Sequence, residues 1–145
     1  SKTAELPIVG AAPLGDLAVL AARIERETGL LSAFARRLVD RHGTEADAVI
    51  GLGRERDLLR PLGFETEHLE AEVAWAASRE LASSLDDVLS RRMRLAQELP
   101  DRGASIAPRA AEILGAELGW DAARQAAEVS AYLETARVEY GVPGR

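Results

Sequence analysis

Cysteine is absent from the 145 residues, which excludes a disulfide framework, a zinc thiolate site, an iron–sulfur cluster and a cysteine nucleophile, and suits a reducing, cytoplasmic setting. Aromatic residues make up only 4% although hydrophobic residues reach 47%. The apolar content is mostly Ala and Leu, strong helix formers, rather than the Val, Ile and aromatics of strands, so an all-α fold is expected. No stretch approaches the roughly 20 apolar residues of a membrane span, and the N-terminus lacks the basic start and apolar run of a signal peptide. The formal charge of −6 repels phosphates and argues against a nucleic-acid partner. Histidine occurs twice, at His42 and His68, with no companion pattern. Both are read as solvated or capping side chains rather than metal ligands.

What is present is punctuation at helical spacing. Residues 1–15 carry Pro7, Pro13, Gly10 and Gly15 and read as an extended connector, with residues 16–145 as one helical domain. Asp16 can cap a helix bearing Leu17, Leu20, Ala21 and Ile24, stopped by Gly29. Ser32 is the candidate cap of a second helix with the stripe Phe34, Ala35, Leu38 and Val39, ended by Gly43. Thr44 and Asp47 resemble a capping box for a short helix through Ile50 that Gly51 and Gly53 end. Leu58, Leu59, Leu62 and Phe64 form an apolar anchoring segment, and Thr66 can cap the longest helix, with Leu69, Val73, Ala76 and Ala77 on one face. Ser84 and Asp87 have capping-box spacing and restart a helix carrying Leu85, Val88, Leu89 and Arg92. Ser105 can cap the next helix, which Gly119 ends. Asp121 opens the last one, with Ala126, Val129, Leu133 and Ala136 inward, until Gly141 and Pro143 stop it. The expectation is a single-domain orthogonal bundle of about six or seven helices.

The run from Glu70 to Leu95, followed by Leu118-Gly119-Trp120-Asp121 and a last helix with Glu128 and Tyr132, resembles the C-terminal helical domain of FAD-dependent glycerol-3-phosphate dehydrogenases and the related glycerophosphate oxidases. Leu6 to Ala11 and the Leu38-Val39-Asp40-Arg41-His42-Gly43 element match the same family in the same order. Two positions depart from it: His42 stands where the family has Tyr, and Met93 where it has Thr. The resemblance implies that the chain is a fragment whose parent oxidises sn-glycerol 3-phosphate to dihydroxyacetone phosphate, passing electrons through FAD to a quinone, or to oxygen in the oxidase branch. It further implies that the flavin domain is a missing partner, that the parent is peripheral to the cytoplasmic face of a membrane, that a homodimer can form, and that the fragment alone is inactive. A stand-alone helical interaction or regulatory module is the alternative, against which the connector at residues 1–15 speaks.

The residues themselves offer no catalytic, cofactor or metal site. Gly51-Leu52-Gly53-Arg54-Glu55-Arg56 has Arg in place of the third glycine of a dinucleotide loop and no strand before it. Glu70 and Glu72 lie two apart on a helix and so face different ways, and Asp86 and Asp87 sit in a first turn where capping accounts for carboxylates. The basic cluster Arg91-Arg92-Met93-Arg94 is the one live candidate. Arg91 is expected in a surface pair with Asp87, whereas Arg92 faces inward and requires a partner such as Glu80. The cluster, with Glu80, Asp87, Arg91, Arg92 and Arg94 as its ion-pair residues, either docks the flavin domain or is an intradomain network.

Overall fold

Ala- and Leu-rich stretches between glycine stops become helices in the computed structural model, which describes residues 8–141. Seven α-helices follow one another among the described residues: α1 (Leu14–Thr28), α2 (Ser32–His42), α3 (Ala46–Arg56), α4 (Glu70–Arg79), α5 (Leu95–Glu98), α6 (Ala107–Leu118) and α7 (Ala122–Glu139). A 3₁₀ turn over Gly43–Glu45 joins α2 to α3, and a π-helical turn over Asp87–Arg92 precedes α5. The all-α expectation holds.

Helix α4 is central because residues Glu70 to Ala77 are all buried, and a helix apolar around most of its circumference must be enclosed by others. Four of its ten residues are alanine, so α3 and α6 approach it closely on two sides. Helix α7 closes on α6, and α1 packs against α2. The core joins Ile24, Leu38, Val49, Leu69, Leu85, Leu89 and Leu114 into one cluster, each such side chain worth about 1.5–3 kcal/mol of burial.

Gly29 and Gly119 terminate their helices in the left-handed conformation, as the sequence predicts, and the Asp121 carboxylate accepts the Arg124 amide at the start of α7. Elsewhere the expected punctuation moves. Helix α1 begins at Leu14 behind Pro13, so Leu14 and Gly15 are helical rather than extended; Ser1 to Pro7 and Pro143 lie outside the described residues. Leu31 and Ile106, not Ser32 and Ser105, occupy cap positions without a side-chain acceptor. Helix α3 runs through Gly51 and Gly53 to Asp57, which takes the left-handed stop. Gly53 is retained inside it because a Cβ there would meet Leu59 at 2.4 Å and Ala71 at 3.0 Å: the glycine is a contact point, not a terminator. Asp47 does not cap either; its carboxylate receives Arg23 Nη2 at 2.6 Å.

Residues 58–70 double back as a loop. Leu62 N donates to the His68 carbonyl and Glu70 N to that of Arg60, with an isolated bridge between Pro61 and Leu69. Leu58 and Leu62 anchor it, but Phe64 at its tip is fully exposed, contrary to its expected role as an anchor. Thr66 caps nothing: its hydroxyl accepts the His68 amide, and Leu69 precedes α4. The longest helix is α7, and its inward face is Glu128, Tyr132 and Ala136, while Ala126 and Leu133 are exposed.

Candidate functional site

The first turn of α4 places two carboxylates in the interior. Glu72, at the third helical position, turns back to accept the Leu69 amide with Oε2 at 2.8 Å, satisfying one of the orphan donors of the helix start. Its Oε1 accepts His68 Nδ1–H at 2.9 Å and faces His42 Nε2 at 3.4 Å and Arg41 Nε at 3.5 Å. Arg37 Nε and Nη2 point at His68 Nε2 from 3.1 and 2.7 Å. A guanidinium can only donate, so His68 Nε2 carries the lone pair and Nδ1 the proton. Burial alone would raise the Glu72 carboxyl, but the hydrogen bonds from His42, His68 and Leu69 outweigh it and hold the group down at about 2. Glu70, two residues earlier, faces the other way, accepting Arg109 Nε and Nη2 at 2.8 and 2.9 Å and thereby tying α4 to α6.

Both histidines are therefore buried and paired, not solvated. The sequence carries half of this signal, since His68 and Glu72 stand four apart; the α2 residues Arg37 and His42, about 30 positions away, could not be found by spacing. No group of three or more His, Cys, Asp or Glu among the described residues is disposed to hold a metal ion.

The arginine cluster lies at the other end of α4. Arg92 Nε stands 3.3 Å from a Glu80 oxygen, and its Nη2 and Nη1 donate to the carbonyls of Glu80 and Asp87. One guanidinium thus bridges the end of α4 and the start of the π-helical turn. Arg41 of α2 donates to the Arg92 carbonyl, connecting this clasp to the buried carboxylate. Arg91 reaches Asp86 at 3.2 Å and Asp87 at 3.5 Å with its side chain 69% exposed. Partial burial works against the Asp87 carboxylate, but the Ser83 amide and hydroxyl, with Arg91, lower it. Arg94 is exposed, in the left-handed conformation, before α5, and has no ion-pair partner among the described residues.

Two residues of α7 complete the frame. Glu128 accepts the Leu85 amide with Oε2 and Arg124 Nη2 with Oε1, so one helix caps the start of another 43 residues earlier. Tyr132 donates its hydroxyl to the Arg102 carbonyl, and burial pushes its phenol up to about 12.

A family model described as the C-terminal domain of alpha-glycerophosphate oxidase matches residues 1–125. The chain belongs to that family. Glycerol-3-phosphate dehydrogenase 2 of Mycobacterium tuberculosis (strain ATCC 25618 / H37Rv) is 36% identical over 140 residues, covering 96% of this chain and 24% of the relative. Glycerol-3-phosphate dehydrogenase of Mycobacterium leprae is 38% identical over 112 residues, 77% of this chain and 19% of that protein. The mitochondrial enzyme of Arabidopsis thaliana is 36% identical over 107 residues, 72% and 17% of the two chains. The chain spans about a quarter of the length of the relative that it matches over 96% of its own residues. No solved structure matches significantly.

The Gly51-Leu52-Gly53 element is not a dinucleotide loop. Gly51 and Gly53 lie inside α3 with Gly53 covered by Leu59 and Ala71, whereas a pyrophosphate cradle presents free amides at a helix start after a strand. No helix of the described residues is long and apolar enough to cross a membrane.

Proposed function

We propose that this chain is the C-terminal helical cap of an FAD-dependent glycerol-3-phosphate dehydrogenase that oxidises sn-glycerol 3-phosphate to dihydroxyacetone phosphate and delivers the electrons to a quinone. The membership of residues 1–125 in a family defined by the C-terminal domain of an oxidase of the same substrate carries this reading, and relatives named glycerol-3-phosphate dehydrogenase over 96% of the chain support it. The flavin and its redox chemistry belong to the remainder of the enzyme. The residues described here supply a rigid helical body: Glu72 locks α2, the 58–70 loop and α4, and the Glu80–Arg92 clasp fixes the bend out of α4. The segment that ends at Pro13, ahead of α1, serves as the connector from the flavin domain. The whole enzyme is peripheral to the cytoplasmic face of a membrane and forms a homodimer.

The test is a flavin titration beside an activity assay. The isolated chain, mixed with FAD and desalted, should retain no absorbance near the flavin maximum and show no glycerol-3-phosphate-dependent dye reduction, while the enzyme containing the flavin domain shows both. Stoichiometric FAD retention by the chain alone would place the cofactor site here. A colourless, inactive full-length protein would turn the reading to a free-standing helical interaction module.

A further inference from the structure

The outer side of α2 borders three depressions that share residues. One of about 310 Å³ runs between α1 and α2 beside Leu14, Ala18, Ala22 and Val39; one of about 360 Å³ lies between Val9, Gly10, Gly43 and Glu80; one of about 500 Å³ is lined by Arg36, Arg37, Arg41 and Glu67. Asp40 lines all three, and Leu17 and Val39 are common to the first two. They are one concave surface. It is lined by apolar side chains that the fold leaves uncovered, Val9 at 78% and Leu14 at 85% exposure, and Leu81, at 86%, follows the lining residue Glu80 in the chain.

Leu81 is the telling residue. Its φ is +58°, a conformation that glycine adopts without cost and leucine does not. An exposed leucine in a strained position adds nothing to the core of this domain, while a leucine projecting from a pinned corner suits contact with another surface. The corner is pinned from beneath, because Arg92 donates to the carbonyl of Glu80 and the Ala82 amide returns to Ala76.

We infer that this concave face, with Val9, Leu14 and Arg36 among its lining and Leu81 next in the chain to its Glu80, is the surface that seats the flavin-bearing part of the same enzyme. The inference rests on the reading above and adds the residues that make the contact. The occupant follows from the entry of the chain. The family is a C-terminal domain that accounts for about a quarter of its relatives, so the preceding polypeptide reaches it through Ile8 to Ala11. Those residues are seated in the groove: Thr44 N donates to the Gly10 carbonyl at 3.0 Å, and Gly10 and Gly43 touch so closely that a Cβ on Gly43 would overlap the Gly10 oxygen. The chain therefore enters the domain along the same depression that Glu80 lines, one residue before Leu81. Arg36, exposed and lining the depression with Asp40, offers a charged donor to a carboxylate or carbonyl on the facing surface.

Hydrogen exchange on the full-length flavoenzyme and on this chain alone tests the assignment. Amides flanking Val9, those of Arg36 to Arg41 and those of Leu81 and Ala82 should exchange at least about tenfold more slowly in the enzyme, while those around Val138 on α7, also exposed, should not change. Leu81→Glu and Val9→Glu in the enzyme should abolish this protection and leave the urea midpoint of the isolated chain unaltered; Val138→Glu should do neither. If the enzyme holds flavin and turns over yet the α2 face exchanges equally fast in both proteins, or the protection falls on α7 instead, the face is wrong and the reading of the function stands. If the full-length protein holds no flavin, both fall together.

Discussion

Replacing Glu72 with glutamine preserves the volume of a side chain that is 2% exposed but removes its charge and one of its acceptor oxygens. Both oxygens are in use, Oε1 by His68 at 2.9 Å and Oε2 by the Leu69 amide at 2.8 Å, so in either amide orientation an NH₂ group faces a donor. A buried hydrogen bond to a charged acceptor is worth about 1.5–3 kcal/mol, and an orphaned donor costs about 1–3 kcal/mol. The loss should be about 3 kcal/mol, a large part of the ~5–15 kcal/mol that holds a domain of this size. Linkage expresses the same hydrogen bonds as a dependence on pH. The carboxyl is held at about 2 against an ordinary value of 4.5, which corresponds to about 3 kcal/mol. Because the folded value is the lower one, that stability is present above pH 4.5 and is lost as pH falls toward 2. Urea melts of the wild type and Glu72→Gln should therefore differ by about 3 kcal/mol at pH 7, by about half of that at pH 3, and converge only near pH 2 and below. A difference below about 1 kcal/mol at pH 7, or one that does not shrink in acid, refutes the reasoning.

Arg92→Ala should cost about 3 kcal/mol, because it strips Glu80 and two carbonyls of a shared donor, whereas Arg91→Ala at the exposed pair should cost under about 1 kcal/mol; equal urea midpoints would contradict the inward placement. Gly43→Ala should unseat the segment around Gly10 and destabilise by more than about 2 kcal/mol, since its Cβ would fall on the Gly10 oxygen, while Gly29→Ala, with open space around it, should cost only about 1 kcal/mol of left-handed strain in a thermal melt. Tyr132→Phe should lose about 1–2 kcal/mol with unchanged helical circular dichroism. Since the folded phenol titrates at about 12, above its unfolded value, wild-type stability should fall between pH 10 and 12, and the variant should lack that fall.

The parts of the fold legible in the sequence are those decided locally. Left-handed glycines at 29 and 119 and the Asp121 cap depend on a few neighbouring residues, and their spacing states them. The α3 boundary is not legible locally because Gly53 answers to Leu59 and Ala71 rather than to its own helix, and the inward face of α7 is not because Glu128, a charged residue, is drawn in by the Leu85 amide. The π-helical turn has no period to announce it. In the site, the Arg92–Glu80 contact was foreseeable because an inward arginine requires a carboxylate within a short chain distance. The convergence of Arg37, Arg41 and His42 on Glu72 was not, since it depends on the packing of α2 across the 58–70 loop.

The cap that Glu128 lends to Leu85 also sets where this domain can be divided. The matched family segment stops at residue 125, three positions before Glu128 and seven before Tyr132. A protein cut there keeps every helix from α1 to α6 yet leaves the Leu85 amide and the Arg102 carbonyl without their partners and bares the α6 surface that α7 covers. The evolutionary signature and the mechanical unit therefore end at different residues, and it is the later boundary, through Tyr140, whose carbonyl accepts Arg102 Nε, that a folded version of this domain must respect.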